Sequence, residues 1–502
     1  MYIYCMMKKK KLAAADREFL SLVARAVLTN PFTPERLELD SRIAGRQVHR
    51  GIPEQERIRM FTPAIEQRLA ELERRGLGRV TSLDGEDRRL LEYAWLFSVF
   101  HRHVERLDQL IADQLQQGDE PVEVTFAGEL LDDLARRGFA RDQTLRFLAL
   151  FYQIRRAYYF IARGLVGPSD CMRRLRRSLW NSVFTHDVAL YDRFLWDRME
   201  DFSTLILGET GTGKGAAAAA IGRSGCIPFD LRKNRFTESF TATFLDINLS
   251  QFQENLIESE LFGHRKGAFT GAVDTHQGIF ARVSPNGALF LDEIGEVSTP
   301  VQIKLLQVLQ DRTFSPVGSH QRLRFSGRVI AATNVPLETL RSGNRFRDDF
   351  FYRLSSDVIT VPPLRQRIAE SPEELEALTS LLVARITGSP APEVVEMVRE
   401  ALVASLPENY VWPGNVRELE QAIRRVLLTG TYSGDHCVAP DSLDDLAQAL
   451  ERGDLDARGL MGRYAAMLHQ RLGSYEAVAR TLAVDRRTAK RYVDSCDSEG
   501  NE

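Results

Sequence analysis

The segment Ser203 to Gly215 reads STLILGETGTGKG: a short apolar run, a glycine-rich loop and a lysine. GxxxxGK spacing bends successive backbone N–H groups around an anion. Lys214 can reach terminal phosphates, and the helix starting there favours negative charge at its N-terminus. The candidate phosphate-binding residues are therefore Gly208, Glu209, Thr210, Gly211, Thr212, Gly213, Lys214 and Gly215. Position 215 is glycine where such loops usually carry Ser or Thr, so the hydroxyl that normally touches Mg²⁺ is missing. Downstream, Gly287 to Glu293 reads GALFLDE, an apolar strand ending in two carboxylates. Asp292 is placed to hold Mg²⁺ through its water shell, and Glu293 to polarise an attacking water. A lone Asp-Glu pair reads more simply as a solvated turn. Following a glycine-rich loop, it reads as the second half of a nucleotide site.

The elements that must position these residues are visible as changes in pattern. Ser203 to Leu207, Ala288 to Leu291 and Arg328 to Ala332 are short β-branched or apolar runs, each ending in a polar motif, with helical stretches between them. Such alternation predicts an α/β parallel sheet with ligands at the carboxyl ends of its strands. From Asp16 to Gly167 the chain is helical in character. Glu86 to Gly118 carries apolar residues at steps of mostly three and four, and shorter patterns cover Pro53 to Gly76, Ala127 to Arg137 and Asp142 to Gly164. At 502 residues the chain is expected to hold several domains. The net charge is only -3, so any nucleic-acid contact must come from a local basic patch. Five scattered cysteines without a CxxC pair argue against a zinc module or disulfide framework and favour a reducing cytoplasm. No apolar stretch is long enough for a membrane span; the best, Leu145 to Val166, is broken by four arginines.

Between these motifs lies Glu258 to Ala272, ESELFGHRKGAFTGA. Together the segments resemble the AAA+ domain of bacterial sigma-54-dependent transcription activators, the enhancer-binding proteins. In that family the loop Gly267, Ala268, Phe269, Thr270, Gly271 and Ala272 engages sigma-54. Glycines at both ends permit a tight turn, and Phe269 with Thr270 offers an apolar, hydrogen-bonding tip. The resemblance covers about Trp180 to Leu428 and implies further roles. Asn248 corresponds to the asparagine that holds the catalytic glutamate, and Thr333 with Asn334 to the sensor that reads the γ-phosphate. Arg347 and Arg353 correspond to arginine fingers supplied by the adjacent subunit, and Arg417 to the second sensor on the helical lid. Three positions depart from the family pattern: Gly215 stands for a glutamate, Arg265 for an acidic residue and Leu249 for a cysteine.

Near the C-terminus, SYEAVARTLAVDRRTAKRYVD has the apolar spacing of helix, turn, helix, with Asp485 as cap of the second helix. That helix presents Arg486, Arg487, Lys490 and Arg491, able to reach phosphates and guanine edges. It resembles the small factor-for-inversion-type module that ends many family members. The N-terminal segment lacks the pattern of a phosphorylatable receiver. Its aromatic run Phe147, Phe151, Tyr152, Tyr158, Tyr159 and Phe160 reads chiefly as bundle core or a dimer face, with a ligand pocket as the alternative.

The expected organisation is a disordered leader over 1–15, a helical regulatory domain over 16–170, and an α/β AAA+ ATPase subdomain over 171–370 with its helical lid over 371–431. A linker over 432–457, an all-α helix-turn-helix domain over 458–494 and a disordered tail over 495–502 complete it. The resemblance implies an ATP- and Mg²⁺-dependent ATPase that assembles as a homo-oligomeric ring, a hexamer, binds upstream double-stranded DNA and acts on the sigma-54 RNA polymerase holoenzyme, without a membrane. Two other readings compete: a DNA-binding regulator that uses ATP only as a ligand switch, and an unrelated AAA+ machine. The GAFTGA tip and Glu293 argue against the first, and the tip and the helix-turn-helix against the second.

Overall fold

A computed structural model of the chain describes residues 10–49, 51–342, 346–407, 410–432, 457–472 and 474–496. Contacts divide it into two compact units, 1–390 with 411–420, and 391–410 with 421–502. Residues 1–9 of the expected leader, nearly all of the linker and the last residues of the tail lie outside the described residues. The remainder of the leader is anchored at one buried residue. Leu12 is buried and donates its N–H to Asp87 at 3.0 Å, and the first helix already begins at Ala14.

The first unit opens with eight helices: α1 (Ala14–Leu28), α2 (Pro34–Ala44), α3 (Glu54–Arg74), α4 (Gly85–Arg102), α5 (Val104–Gln117), α6 (Ala127–Arg136), α7 (Arg141–Gly164) and α8 (Asp170–Phe184). The periodicity from Glu86 to Gly118 predicts one continuous apolar face. The chain instead breaks into α4 and α5 at His103, where φ is -106° and ψ 3°. The buried His103 imidazole bonds the Val99 carbonyl through Nδ1 at 2.9 Å, closing α4 with its own side chain. The break lets α5 turn while its apolar positions stay in the same core, which periodicity alone cannot distinguish from a straight helix.

The same unit contains a five-stranded, wholly parallel sheet in the order β4-β5-β8-β1-β9. Its strands are β1 (Thr204–Leu207), β4 (Phe244–Asn248), β5 (Ala288–Asp292), β8 (Arg328–Thr333) and β9 (Asp357–Thr360). Two small antiparallel pairs, β2 (Phe229–Asp230) with β3 (Arg235–Phe236) and β6 (Thr313–Phe314) with β7 (Leu323–Arg324), sit outside it. Leu205, Ile206, Leu289, Leu291, Val329 and Ile330 are essentially fully buried, as expected for a parallel sheet covered on both faces. Because the strands are parallel and in register, Leu207 lies opposite Thr333 and Asn248 opposite Asp292. Every polar strand end therefore reaches one edge of the sheet. The α/β architecture with a helical segment before it and helices after it is the one expected.

In the second unit, helices Ala457–Leu472, Tyr475–Leu482 and Arg486–Cys496 close on a small core of Ala465, Leu468, Val478, Ala479, Ala489 and Val493. Ser474 caps the middle helix by accepting from the Ala477 N–H at 3.1 Å. Asp485 caps the last, accepting from the Thr488 N–H at 3.0 Å and its hydroxyl at 2.7 Å.

Candidate functional site

The loop after β1 turns into helix α9 (Lys214–Gly222). Two residues fix its curvature. Gly211 (φ +79°) lies so close to the chain before the lid helix that a Cβ there would meet the Gly414 carbonyl oxygen at 2.3 Å; Gly213 has φ +103°. Both conformations are left-handed and need glycine. Nothing crowds Gly215, so its departure from Ser, Thr or Glu is not imposed by packing. Lys214 is buried and folds back over the loop, donating to the carbonyls of Gly208 at 2.9 Å and Glu209 at 3.3 Å. Burial lowers its ammonium pKa, opposed by Glu293 and Asp292.

Glu293 follows β5 in a left-handed conformation, φ 56° and ψ 44°, uncommon for a residue with a side chain. Its N–H donates to Asp292 Oδ1 at 3.0 Å. Burial raises the Glu293 carboxyl above the usual range, with Lys214 pulling it down and Asp292 pushing it up. Asn334 donates from Nδ2 to the Thr210 hydroxyl at 3.3 Å, joining the end of β8 to the loop after β1. Thr333 Oγ1 accepts from the Val335 N–H.

A cavity of about 350 Å³ has walls that include Thr210 to Ala216, Asp292, Glu293 and Arg417; Asn334 does not line it and reaches it only through Thr210. The cavity falls in the usual size range for small-molecule sites. Arg417 is exposed at its rim, and its N–H donates to the Gly211 carbonyl at 3.3 Å. Sequence reasoning missed three contributors. Arg385 lines the same cavity from the lid. Asn415, wholly buried at φ 54°, ties the loop to the lid: its amide donates to the Thr210 carbonyl at 3.1 Å and to Glu209 at 3.2 Å, and accepts from the Leu364 N–H at 2.8 Å. Arg365 pairs with Glu209 and, as the largest cause, holds its carboxyl below the usual range. Glu209 is thus committed to the lid. Asn415 stands in the WPGNVREL stretch from which only Arg417 was singled out, so its signal was present.

Other expected residues are placed differently. Asn248 lies beside Asp292 in register, but its Oδ1 accepts from the Ser250 N–H at 3.0 Å and hydroxyl at 2.7 Å. No hydrogen bond among the described residues joins it to Glu293; its Oδ1 caps the turn after β4. Arg347 is exposed and clamped on Asp349, with Nε–Oδ1 at 3.0 Å and Nη2–Oδ2 at 2.8 Å. Arg353 instead donates inward, from Nε to the Leu309 carbonyl at 2.9 Å. Neither lines the cavity of its own chain. Leu249 is buried in the sheet core, where a cysteine would leave a smaller side chain.

The segment Gly267 to Ala272 is a closed turn: the Gly267 N–H donates to the Ala272 carbonyl at 2.8 Å, and the Ala272 N–H to that of Phe269 at 3.0 Å. Gly267 and Gly271 both have positive φ. Phe269 is 38% exposed, its ring edge-on to His264 at 4.9 Å. Arg265 donates to Gln321 at 2.7 Å and through its N–H to Val317, tethering the turn to the β6–β7 hairpin. On the last helix Arg486, Arg487, Lys490 and Arg491 are all exposed, and Arg486 pairs with Glu476 at 2.6 Å.

Known proteins are similar to parts of this chain. A sigma-54 interaction domain model matches residues 193–360. SfnR of Pseudomonas putida, described as a sigma54-dependent transcriptional activator, is 37% identical over 287 residues, 56% of this chain and 72% of that protein. The transcriptional regulatory protein ZraR of Klebsiella oxytoca is 35% identical over 338 residues, 65% of this chain and 67% of that protein. The Nif-specific regulatory protein of Azotobacter vinelandii is 38% identical over 275 residues, 54% of this chain and 45% of that protein. The chain spans about half the length of that relative and of AtoC of Escherichia coli, 45% and 50%. With a matching interaction domain and a relative covered over most of its length, the chain belongs to the family of sigma-54-dependent transcriptional activators.

Proposed function

We propose that the protein hydrolyses ATP and uses the energy to remodel a sigma-54 RNA polymerase closed complex into an open one, while its C-terminal helices hold it on upstream DNA. The observation that carries this reading is the convergence of Lys214, Asp292, Glu293 and Arg417 on one cavity at the sheet edge, with Asn334 bonded to the Thr210 hydroxyl of its wall, in a chain that also displays the exposed Phe269 turn. Loop N–H groups and Lys214 cradle the phosphates. Asp292 would hold Mg²⁺, which would supply charge neutralisation at the phosphates; a site of this kind needs one or two carboxylates, water and the nucleotide rather than a protein cage. Glu293 takes the proton from the attacking water, a task to which a raised carboxyl is suited. Asn334 and Arg417 sense the terminal phosphate.

Arg347 acts in trans. It is exposed and outside its own cavity, a position from which it serves a neighbouring subunit's phosphates, and the family likeness supports assembly as a ring, a hexamer. Arg353 shares the finger role by family likeness but must first release Leu309. Asn248 restrains Glu293 by donating from Nδ2 in a state where the two side chains meet, and its Oδ1 can stay on Ser250. The Gly267 to Ala272 turn is the sigma-54 contact, and Arg486, Arg487, Lys490 and Arg491 meet DNA. No helix among the described residues is long and apolar enough to cross a membrane; with its scattered cysteines, we place the protein in the cytoplasm.

The test is ATP turnover against protein concentration, with open-complex formation by sigma-54 polymerase followed in parallel. Cooperative turnover with open complexes is expected, and Thr270→Ala should abolish the complexes while sparing turnover. Turnover without open complexes would replace this reading by the ligand-switch regulator.

A further inference from the structure

Helix α7 carries two different faces. Phe151, Ile154, Arg155 and Tyr158, at steps of three and four, point one way and line a cavity of about 130 Å³ inside the N-terminal helices. Gln153 and Arg156 point the other way, onto the end of α9. Gln153 donates to the Ser224 carbonyl at 2.9 Å, and Arg156 to those of Arg223 at 2.6 Å and Gly225 at 2.7 Å. The C-terminal end of α7 leads directly into Leu165 and Val166, which line the nucleotide cavity together with Gly164.

The cavity is built like a ligand site. Its apolar walls are Phe61, Phe97, Phe100, Phe151, Ile154 and Trp180. A pocket of this order, about 150 Å³, holds one aromatic ring. Its charges are mostly settled within the wall: Arg36 pairs with Asp40 at 2.8 Å, and Arg155 with Glu54 and Asp108 at 2.5 and 2.6 Å. Burial, then Arg36 and Arg155, hold the His101 imidazole well below its usual range, so it is neutral. Arg57 differs. Among the described residues it faces no carboxylate within ion-pair distance, its Nε has no partner, and its Nη2 meets the Tyr158 hydroxyl at 3.4 Å. A cation and a hydroxyl thus converge on one point of a chamber whose other charged side chains, Arg36, Asp40, Arg155 and Glu54, are already paired. Two more buried nitrogens without partners, His101 Nδ1 and Trp180 Nε1, belong to its walls, and such orphans are rare in folded proteins.

We propose that this cavity binds a small carboxylic acid with a single ring, its carboxylate on Arg57 and the Tyr158 hydroxyl, and that occupancy changes nucleotide affinity through α7. The coupling half rests on the nucleotide reading above; the site itself does not. Because α7 is one helix with a ligand wall on one face and the end of α9 on the other, a shift that accommodates the ring is transmitted without a flexible joint, and linkage makes the effect reciprocal.

The experiment uses the full chain and three probes, benzoate, phenylacetate and cyclohexanecarboxylate, with benzyl alcohol as the uncharged control. Binding is read by saturation-transfer NMR, and nucleotide affinity by a fluorescent ATP analogue. At least one acid should bind, the alcohol at least tenfold more weakly. Arg57→Met should lose the acid at least tenfold, and Ile154→Trp, which fills the chamber from another wall, should lose it as well. The bound acid should change analogue affinity about fivefold or more, and the analogue should change acid affinity by the same factor. If none of the three acids binds a chain that unfolds cooperatively, or if binding survives both substitutions, the site is refuted. Acid binding that leaves analogue affinity unmoved refutes the coupling. Acid binding by a chain that takes up no analogue supports the site and defeats the ATPase reading instead.

Discussion

At the scale of single residues the chemistry turns on two charges held in unusual settings. Glu293 sits in a left-handed conformation beside the buried Lys214, and burial raises its carboxyl. Glu293→Gln should therefore bind nucleotide normally while turnover falls about 10²- to 10⁴-fold. The acid limb of the wild-type kcat/KM profile should lie above the ordinary glutamate value of about 4.3, since the base works only when deprotonated and its pKa is raised. An acid limb at or below that value would remove Glu293 from the role. The two candidate fingers separate here as well. Arg347 is exposed and held only by Asp349, whereas Arg353 is bound to the Leu309 backbone. Arg347→Ala should abolish hydrolysis with analogue binding largely intact, by about 10³-fold or more. Mixing it with Glu293→Gln subunits should restore some turnover, because each mixed interface of one orientation holds a complete site. Unchanged turnover in Arg347→Ala alone would refute action in trans.

Individual elements depend on how their ends and buried charges are satisfied. The last helix begins on the Asp485 cap, whose carboxyl is held below its usual range by the Thr488 hydroxyl and N–H. Asp485→Ala should lower the unfolding midpoint of that helical unit, because the first N–H groups of the helix lose their acceptor. On the same helix, Arg487→Ala should weaken DNA uniformly across sequences and lower the salt slope by about 1. Arg486, already paired with Glu476, should contribute less to that slope. In the N-terminal bundle, Asp16 is 2% exposed between Arg68 and Arg75. Burial raises its carboxyl, but the two arginines outweigh burial and leave it lowered; at Asp87 the bond from Arg17 is the largest cause of a lowered value. Both carboxyls therefore stabilise the fold fully above the unfolded value of about 3.9, and lose that contribution as pH falls through their lower folded values. Asp16→Asn should cost about 3 kcal/mol at neutral pH and flatten the acid limb of a denaturation series. A series unchanged in shape would mean the arginines do not hold that charge.

Across the whole first unit, the helical N-terminal segment and the five-stranded sheet are joined by buried polar contacts. Arg156 is 0% exposed, caps the carbonyls after α9, and lies 4.5 Å over the Tyr152 ring. The α7–α8 connection is fixed as well: Arg367 forms a buried pair with Glu374 at 2.8 Å and donates to the Val166 carbonyl, while Glu374 accepts from the Ser169 N–H. Arg156→Met should lower stability by about 2 to 3 kcal/mol, the worth of bonds to a charged group whose acceptors stay buried. It should also weaken nucleotide binding, because the end of the helix that begins at Lys214 loses its support. Stability lost without any change in analogue affinity would mean that the contact is structural only. A chain cut before α8 would expose these groups and the apolar face of α7's partners, so point substitutions probe the coupling more cleanly than truncation.

The local patterns were legible because they depend on neighbours in the chain. GxxxxGK, the strand-end Asp292 and Glu293, the GAFTGA turn and the Asp485 cap each need only the residue types at fixed spacing, and the apolar periodicities named most of the helices. What neighbours do not determine stayed hidden. The periodicity of Glu86 to Gly118 could not reveal that His103 closes α4 with its own ring. Asn248 could be matched to a role, but that its Oδ1 caps the turn at Ser250 depends on the backbone after β4. Arg347 and Arg353 look equivalent in sequence, and only packing turns one outward and the other onto Leu309. Asn415 and Arg365 joined the site because the lid returns to the loop over a long chain separation. The aromatic run of α7 divided between core and cavity wall because its helix is packed on two sides. Sequence determines which chemistry is available through local geometry; tertiary structure decides which groups remain free to use it, since each polar side chain spends its few hydrogen bonds on whatever the fold brings nearest.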